Sequence, residues 1–124
     1  MATLTALLAD DSLSARTLLR EALEKAGLIV TESKDGDDAL QLARQNNYDL
    51  VVADLYLPKL DGVALTHKLR KHPDYTDTPI LAVSNNKASG KKEAIREAGA
   101  SGLIRLPITA EELLLVLKKL LPIQ

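Results

Sequence analysis

At 124 residues the chain has the length of one domain with one core, and 46% apolar against 27% charged residues exclude a disordered chain. The 16 basic and 17 acidic residues leave a net charge of -1 with no basic tract, so neither nucleic acid nor an anionic membrane is an expected partner. Cysteine is absent, which excludes disulfides, thiolate metal sites and thiol catalysis; apolar runs fall well short of the roughly 20 residues of a membrane span, and Met1-Ala2-Thr3-Leu4-Thr5 lacks a basic leader region, so the default location is cytoplasmic.

Leu4 to Ala9 is a short apolar run closed by Asp10-Asp11-Ser12, as expected of a strand buried on both faces. A helix follows from Leu13, with Leu18, Leu19, Ala22, Leu23 and Ala26 at helical spacing, Asp11 or Ser12 as N-cap, and Gly27 as its stop. Leu28 to Ser33 is rich in β-branched residues, and after Asp35-Gly36 the positions Ala39, Leu40 and Ala43 mark a second helix that Asn46-Asn47 ends. Tyr48 to Ala53 predicts a third buried strand, again closed by an acid, Asp54. The segment 55–62 leads into a third helix with Val63, Leu65, Thr66 and Leu69 on its apolar side, stopped at His72-Pro73. Pro79 to Val83 predicts strand four and Ser84 to Lys87 a polar loop, with a fourth helix over Ala88 to Ala98. Leu103 to Leu106 predicts strand five, and Thr109 caps a last helix running to about Leu120.

Five strand-helix pairs with short connections imply one α/β domain over 1–124, its parallel sheet covered on both faces. In such a sheet, ordered 2-1-3-4-5, ligands bind where the order reverses, between strands one and three. Asp10, Asp11 and Asp54 close those two strands. Carboxylates crowded into one crevice repel one another unless a cation sits among them, and hard oxygen donors suit Mg²⁺ or Mn²⁺ over zinc. A metal there would also let one carboxylate act as nucleophile toward a phosphoryl group. Any one such acid alone would read as a helix N-cap; three together do not.

The segment Asp54-Leu55-Tyr56-Leu57-Pro58-Lys59-Leu60-Asp61-Gly62 resembles the D-x-x-[LM]-P-x-x-D-G segment of response-regulator receiver domains, the chemotaxis-Y-like family of two-component signalling, and the likeness covers essentially the whole chain. The resemblance implies a flavodoxin-like (βα)5 three-layer sandwich. It also implies that Asp54 accepts a phosphoryl group from a histidine kinase or phosphotransfer protein, that Asp10, Asp11, Asp54 and the backbone carbonyl of Tyr56 hold Mg²⁺, and that the Ser84 hydroxyl bonds the phosphoryl oxygen. Such a protein is not an enzyme beyond assisting its own phosphotransfer and dephosphorylation. A downstream protein would dock on helix four, strand five and helix five, with the chain a monomer or weak homodimer.

Two positions depart from the family. Where the fifth strand should end in Lys-Pro, this chain has Leu106-Pro107, and where an inward-turning Tyr or Phe is expected it has Leu103. Arg105 is adjacent to Leu106, but neighbouring strand residues face opposite ways, so it replaces the lysine only if the strand end is bulged or shifted. Lys87 and Lys91 are other sources of charge. Without a fixed cation, Asp54 should have a raised pKa and the pocket should depend more heavily on Mg²⁺.

In the last helix, Leu113, Val116, Leu117 and Leu120 face the sheet, Leu114 and Leu121 widen the stripe as candidate protein contacts or as ordinary exposed leucines, and Leu115 falls among charges. His67 and His72 have a poor spacing for metal and read as solvated. Two functions compete: a stand-alone phosphoaccepting receiver, and a pseudo-receiver that binds partners independently of phosphorylation. A small aspartyl hydrolase is remote, for want of a D-x-D strand signature and a cap domain. Nucleotide binding lacks both G-x-G-x-x-G and a P-loop.

Overall fold

The computed structural model describes residues 3–85 and 90–123. Its strands are β1 (Thr5–Ala9), β2 (Ile29–Ser33), β3 (Leu50–Asp54), β4 (Ile80–Ser84) and β5 (Gly102–Arg105). The helices are α1 (Leu13–Lys25), α2 (Gly36–Gln45), α3 (Gly62–Arg70), α4 (Lys92–Ala98) and α5 (Ala110–Leu120), with a 3-10 turn over Pro73–Tyr75. All strand pairs are parallel and the order is β2-β1-β3-β4-β5, the expected flavodoxin-like arrangement.

The alternation of side chains along each strand splits the core into layers. Ala6, Leu8, Leu50 and Val52 point toward Leu19 and Leu23 of α1 and Leu113 and Leu117 of α5. Leu7, Ala9, Val51 and Ala53 face Ala39 and Leu40 of α2 and Leu65 and Leu69 of α3. A smaller cluster of Leu55, Ala82 and Ile95 seats α4. Because β1 and β3 are fully buried on both faces, they read as continuous apolar runs whose first polar residues fall where the strands leave the core. Truncating one of these fully buried leucines, Leu19→Ala for example, costs about 2–5 kcal/mol.

Local chemistry fixes the helix starts. Ser12, the second of the two expected caps, accepts a hydrogen bond from the Ala15 amide at 3.3 Å. Asp35 and Asp61 cap α2 and α3 in the same way, and Thr109 and Glu112 form a reciprocal capping box at α5 that holds the Glu112 carboxyl below its usual range.

Four expectations change. The fourth helix begins at Lys92, not Ala88: Gly90 and Lys91 form a turn, consistent with the backbone freedom of glycine, while Ala88 and Lys87 lie outside the described residues. Leu121 is not a surface contact. It is the C-cap of α5, its backbone turns extended (φ -126°, ψ 150°), and its side chain returns to the core at 6% exposure. Leu18 sits one residue off the α1 core stripe and is exposed, whereas Arg16 lies on that stripe and is buried. His72 is half-buried; its Nδ1 accepts from the Asp74 amide at 3.2 Å and its ring meets Tyr75 edge-on, so it caps the 3-10 turn where a solvated side chain was expected.

Candidate functional site

The sheet register brings the acids together. Ala9 of β1 lies opposite Ala53 of β3, so the residues that follow, Asp10 and Asp54, emerge at one level, and Asp11 comes next on the rim. One carboxylate oxygen from each of Asp10, Asp11 and Asp54 lies within 4.8 Å of the others. Asp10 and Asp54 are buried while Asp11 is exposed, so the cluster is open on one side.

Burial raises the Asp10 pKa from 3.8 to about 6; the charges of Asp54 and Asp11 push the same way, against the Ser12 amide and the Arg16 guanidinium. Asp54 is raised as well, first by burial and then by Asp11, against the amide of Tyr56, which donates to its Oδ1 at 3.1 Å. Burial, ahead of the neighbouring charge of Asp11, is thus the largest cause of the rise at Asp54. Asp10 Oδ1 accepts from the Ser12 amide at 2.9 Å; among the described residues, Asp10 Oδ2 is the buried side-chain oxygen without a hydrogen-bond partner. A buried carboxylate oxygen left unpaired among other carboxylates fits a hard divalent cation, and the all-oxygen donor set fits Mg²⁺.

The loop that carries Asp54 is held tightly. The Gly62 amide donates to the Leu55 carbonyl at 3.0 Å, and a Cβ at Gly62 would overlap the Asp54 carbonyl. The same holds at Gly36, where a Cβ would overlap the Leu60 carbonyl. Both glycines let the loop lie against its neighbours. Tyr56 itself is exposed at the rim, while Leu55 and Leu57 anchor the loop in the core.

Ser84 is buried at the end of β4, the strand beside β3, with Val83 opposite Asp54. Ser84 therefore lies one position beyond the level of Asp54 along the sheet edge. The end of β5 does not supply a cation. Arg105 pairs in register with Ser84, and the Leu106 amide continues the ladder to the Ser84 carbonyl at 2.9 Å, so no bulge re-aims Arg105; it is exposed and makes no ion pair with the acids among the described residues. Leu106, joined to Pro107 by a cis peptide bond, packs half-buried against the α1–α5 core. Leu103 packs beside Leu55, Ala82 and Ile95.

Lys91, named as a possible charge source, reaches Asp61 rather than the three acids: Nζ to Oδ2 is 3.0 Å, and the amine lies 4.8 Å from the Tyr56 ring centroid. Arg16 was not anticipated. Its Nη1 donates to the Asp10 carbonyl at 2.8 Å and its Nε to Glu32 at 2.9 Å, while Arg20 holds the other Glu32 oxygen at 3.0 Å. The available signal was its place three residues before Leu19 and seven before Leu23, on the core stripe of α1.

A parallel α/β domain with three carboxylates converging at its switch point belongs to the class of doubly wound folds that carry a ligand site at that edge, and its donor set here is all oxygen. Residues 6–118 match the response regulator receiver domain. The chain is 34% identical over 115 residues to the transcriptional regulatory protein SrrA of Staphylococcus aureus, covering 93% of this chain and 46% of that protein, so it spans about half the length of the curated relatives it matches. Among solved structures it resembles the chemotaxis response regulator CheY4 of Vibrio cholerae (TM-score 0.89, 30% identity, 97% of this chain and all of that one). It also resembles the receiver domain of the sensor histidine kinase PA1611 of Pseudomonas aeruginosa, solved with magnesium coordinated in its active-site cleft (TM-score 0.88, 29% identity, 96% of this chain and 98% of that one). The chain belongs to the response regulator receiver domain family of two-component systems. No helix among the described residues is long and apolar enough to cross a membrane.

Proposed function

We propose that this domain accepts a phosphoryl group on Asp54 from a histidine kinase or phosphotransfer protein. The observation that carries the reading is the burial of Asp54 beside Asp10 with the three acids' oxygens converging and one Asp10 oxygen unpaired. An Asp54 carboxylate oxygen attacks phosphorus, an acyl phosphate forms, and the bond to the donor nitrogen breaks with its electron pair leaving on the imidazole. Asp10, Asp11, Asp54 and the Tyr56 carbonyl are the groups that would hold Mg²⁺, which when bound neutralises charge on the phosphoryl oxygens. The Tyr56 amide, already on Asp54 Oδ1, orients the carboxylate, and the Ser84 hydroxyl would donate to a phosphoryl oxygen, a role supported by the position of Ser84 one residue beyond the level of Asp54. The domain is itself the acceptor, so this reading assigns it no turnover of a separate substrate, and it sits on the cytoplasmic side where such donors act.

Incubation with acetyl phosphate and Mg²⁺ followed by intact mass tests the reading: one phosphoryl adduct is expected, absent in Asp54→Asn and absent when the metal is chelated. A wild-type chain that never gains mass and never binds beryllofluoride overturns it. A second reading, a pseudo-receiver that binds partners without phosphorylation, is favoured by the aliphatic end of β5 at Leu103 and Leu106. In that case Asp54→Asn leaves partner binding unchanged.

A further inference from the structure

Lys91 occupies an unusual place. It is the residue before α4, with φ -105°, ψ 6° and no side-chain cap on the helix amides. A lysine offers those amides no acceptor, and its charge has the wrong sign for the positive end of a helix. Glu93 in the first turn offsets part of that local cost, and two groups outside the helix hold the amine. Asp61 Oδ2 lies 3.0 Å from the amine, and the Tyr56 ring lies beneath it at 4.8 Å.

Both contacts belong to the loop that carries Asp54. Asp61 uses its other oxygen to accept from the Ala64 amide at 2.9 Å, so one carboxylate joins the start of α3 to the start of α4. Burial alone would raise its pKa, yet the Ala64 amide and Lys91 hold it below the usual range, which fits a persistent ion pair. Tyr56 donates its amide to Asp54 Oδ1. A continuous path therefore runs from the Asp54 carboxylate through Tyr56 to Lys91 and into α4, and Asp61 closes it from the other side. The alternative path along β5 has no charged or polar side chain to respond to the pocket: Leu103 and Leu106 are aliphatic, and Arg105 is exposed.

We propose that Lys91 is the positioning residue that couples the acid pocket to α4, carrying changes at Asp54 across Tyr56 and Asp61 into the first turn of that helix. The proposal deepens the reading of Asp54 given above and rests on it for its biological meaning. When the charge or bonding of Asp54 changes, the hydrogen bond from the Tyr56 amide changes with it, the ring moves beneath the Lys91 amine, and the ion pair to Asp61 takes up the difference. The output is a displaced helix start, produced without any movement in β5.

Amide spectra of the full chain provide the test, with Mg²⁺ alone and then Mg²⁺ with beryllofluoride. In the wild type the amides near Asp10, Asp54 and Tyr56 shift, and so do those of Lys92 to Ala98. In Lys91→Gln the pocket shifts and the apparent Mg²⁺ affinity stay within about twofold, while the α4 shifts fall about threefold or more. Lys91→Arg restores them; Lys92→Gln, on the same helix but outside the bridge, leaves them unchanged. Asp61→Asn keeps an N-cap oxygen for α3 while removing the charge, and it behaves as Lys91→Gln does. Undiminished α4 shifts in Lys91→Gln, or an equal loss in Lys92→Gln, overturn the proposal.

A ligand-free arm separates this proposal from the metal reading. Asp54→Asn, which removes the pocket charge by itself, displaces the α4 amides when Lys91 is present and not when it is Gln. Equal displacement in both backgrounds sinks the coupling role, whereas a wild-type pocket indifferent to Mg²⁺ and beryllofluoride sinks the function proposed for the site and leaves this arm to decide the coupling.

Discussion

The ends of β1 and β3 and the end of β5 lie along the same edge of one sheet, yet they are built in opposite ways. At β1 and β3, buried carboxylates are forced together at the cost of raised pKa values and an unpaired oxygen. At β5, Leu103 and Leu106 simply extend the apolar packing of the strand. The first arrangement stores electrostatic cost that only a cation or a proton relieves; the second stores none and senses none. On the function proposed for Asp54, accepting a charged group and transmitting its arrival are therefore separable, and each half can be broken without the other.

The largest expected effect is Asp54→Asn, which should abolish phosphoryl uptake outright, because the amide is no nucleophile, while leaving the fold intact. Intact mass after acetyl phosphate treatment reads the loss. Uptake that persists in this variant would move the chemistry to another acid and dissolve the contrast between the two edges.

Next comes the pH dependence of the metal-free protein. Asp10 is raised to about 6 in the folded state, so the unfolded chain binds fewer protons between pH 4 and 6 and stability falls as pH rises through that window. The advantage is fully present below the unfolded pKa and lost as pH rises through about 6. Asp61 and Glu112 are held low and act in the opposite sense, at lower pH. Urea unfolding across pH 4 to 7 should show the decline in the metal-free wild type, recovery with Mg²⁺, and no decline from this source in Asp10→Asn. Asp10→Asn tracking the wild type through that window would mean that the pocket is not electrostatically strained.

How far the sequence carries the reader follows the same divide. The strands, their order and the three acids were legible, because buried parallel strands are continuous apolar runs and an acid ending such a run is conspicuous at one residue's resolution. The departures at Leu103 and Leu106 were legible too, since Pro107 pins the register. What escaped depends on side chains reaching between elements. Arg16 appears as one more charge until α1 is seen to turn it inward to the Asp10 carbonyl. Lys91 looks exposed until α4 is docked and its amine meets Asp61, thirty residues away in the chain. Leu121 continues a helical stripe on paper, but the helix ends one residue earlier and the extended backbone swings it into the core.

A smaller effect is expected from returning a cation to the aliphatic edge. Loss of one preorganised stabiliser of developing charge typically costs 10²–10³ in rate, so Leu106→Lys, placed without further optimisation, should accelerate phosphoryl uptake by about tenfold. Stopped-flow or quench measurements with acetyl phosphate at saturating Mg²⁺ read it. The same variant should flatten the pH dependence above, since an added positive charge lowers the carboxyl pKa values. A rate unchanged within about twofold would show that the lysine cannot reach Asp54 from this strand end, and that the half-buried packing of Leu106 fixes the β5 edge more firmly than charge can recruit it.

The smallest effect should come from Leu103→Tyr. Beside Leu103 lies a cavity of about 240 Å³ lined by Lys92, Ile95, Arg96, Ala100, Ser101 and Gly102. An aromatic ring therefore has room to enter without displacing the core, and the stability change should stay within about 1 kcal/mol, below the 1–3 kcal/mol typical of overpacking. Residue 103 packs beside Leu55 of the loop that carries Asp54, but the ring enters the cavity on the α4 side and keeps that contact apolar, so phosphoryl uptake should also stay within about twofold of wild type. The variant nevertheless gives β5 a group with a polar end, and that is where the two edges can be compared directly. If beryllofluoride then moves the new ring and strengthens the response of α4, β5 was silent only because leucine cannot report; if the ring stays still while α4 still responds, the path through Tyr56, Lys91 and Asp61 carries the signal by itself.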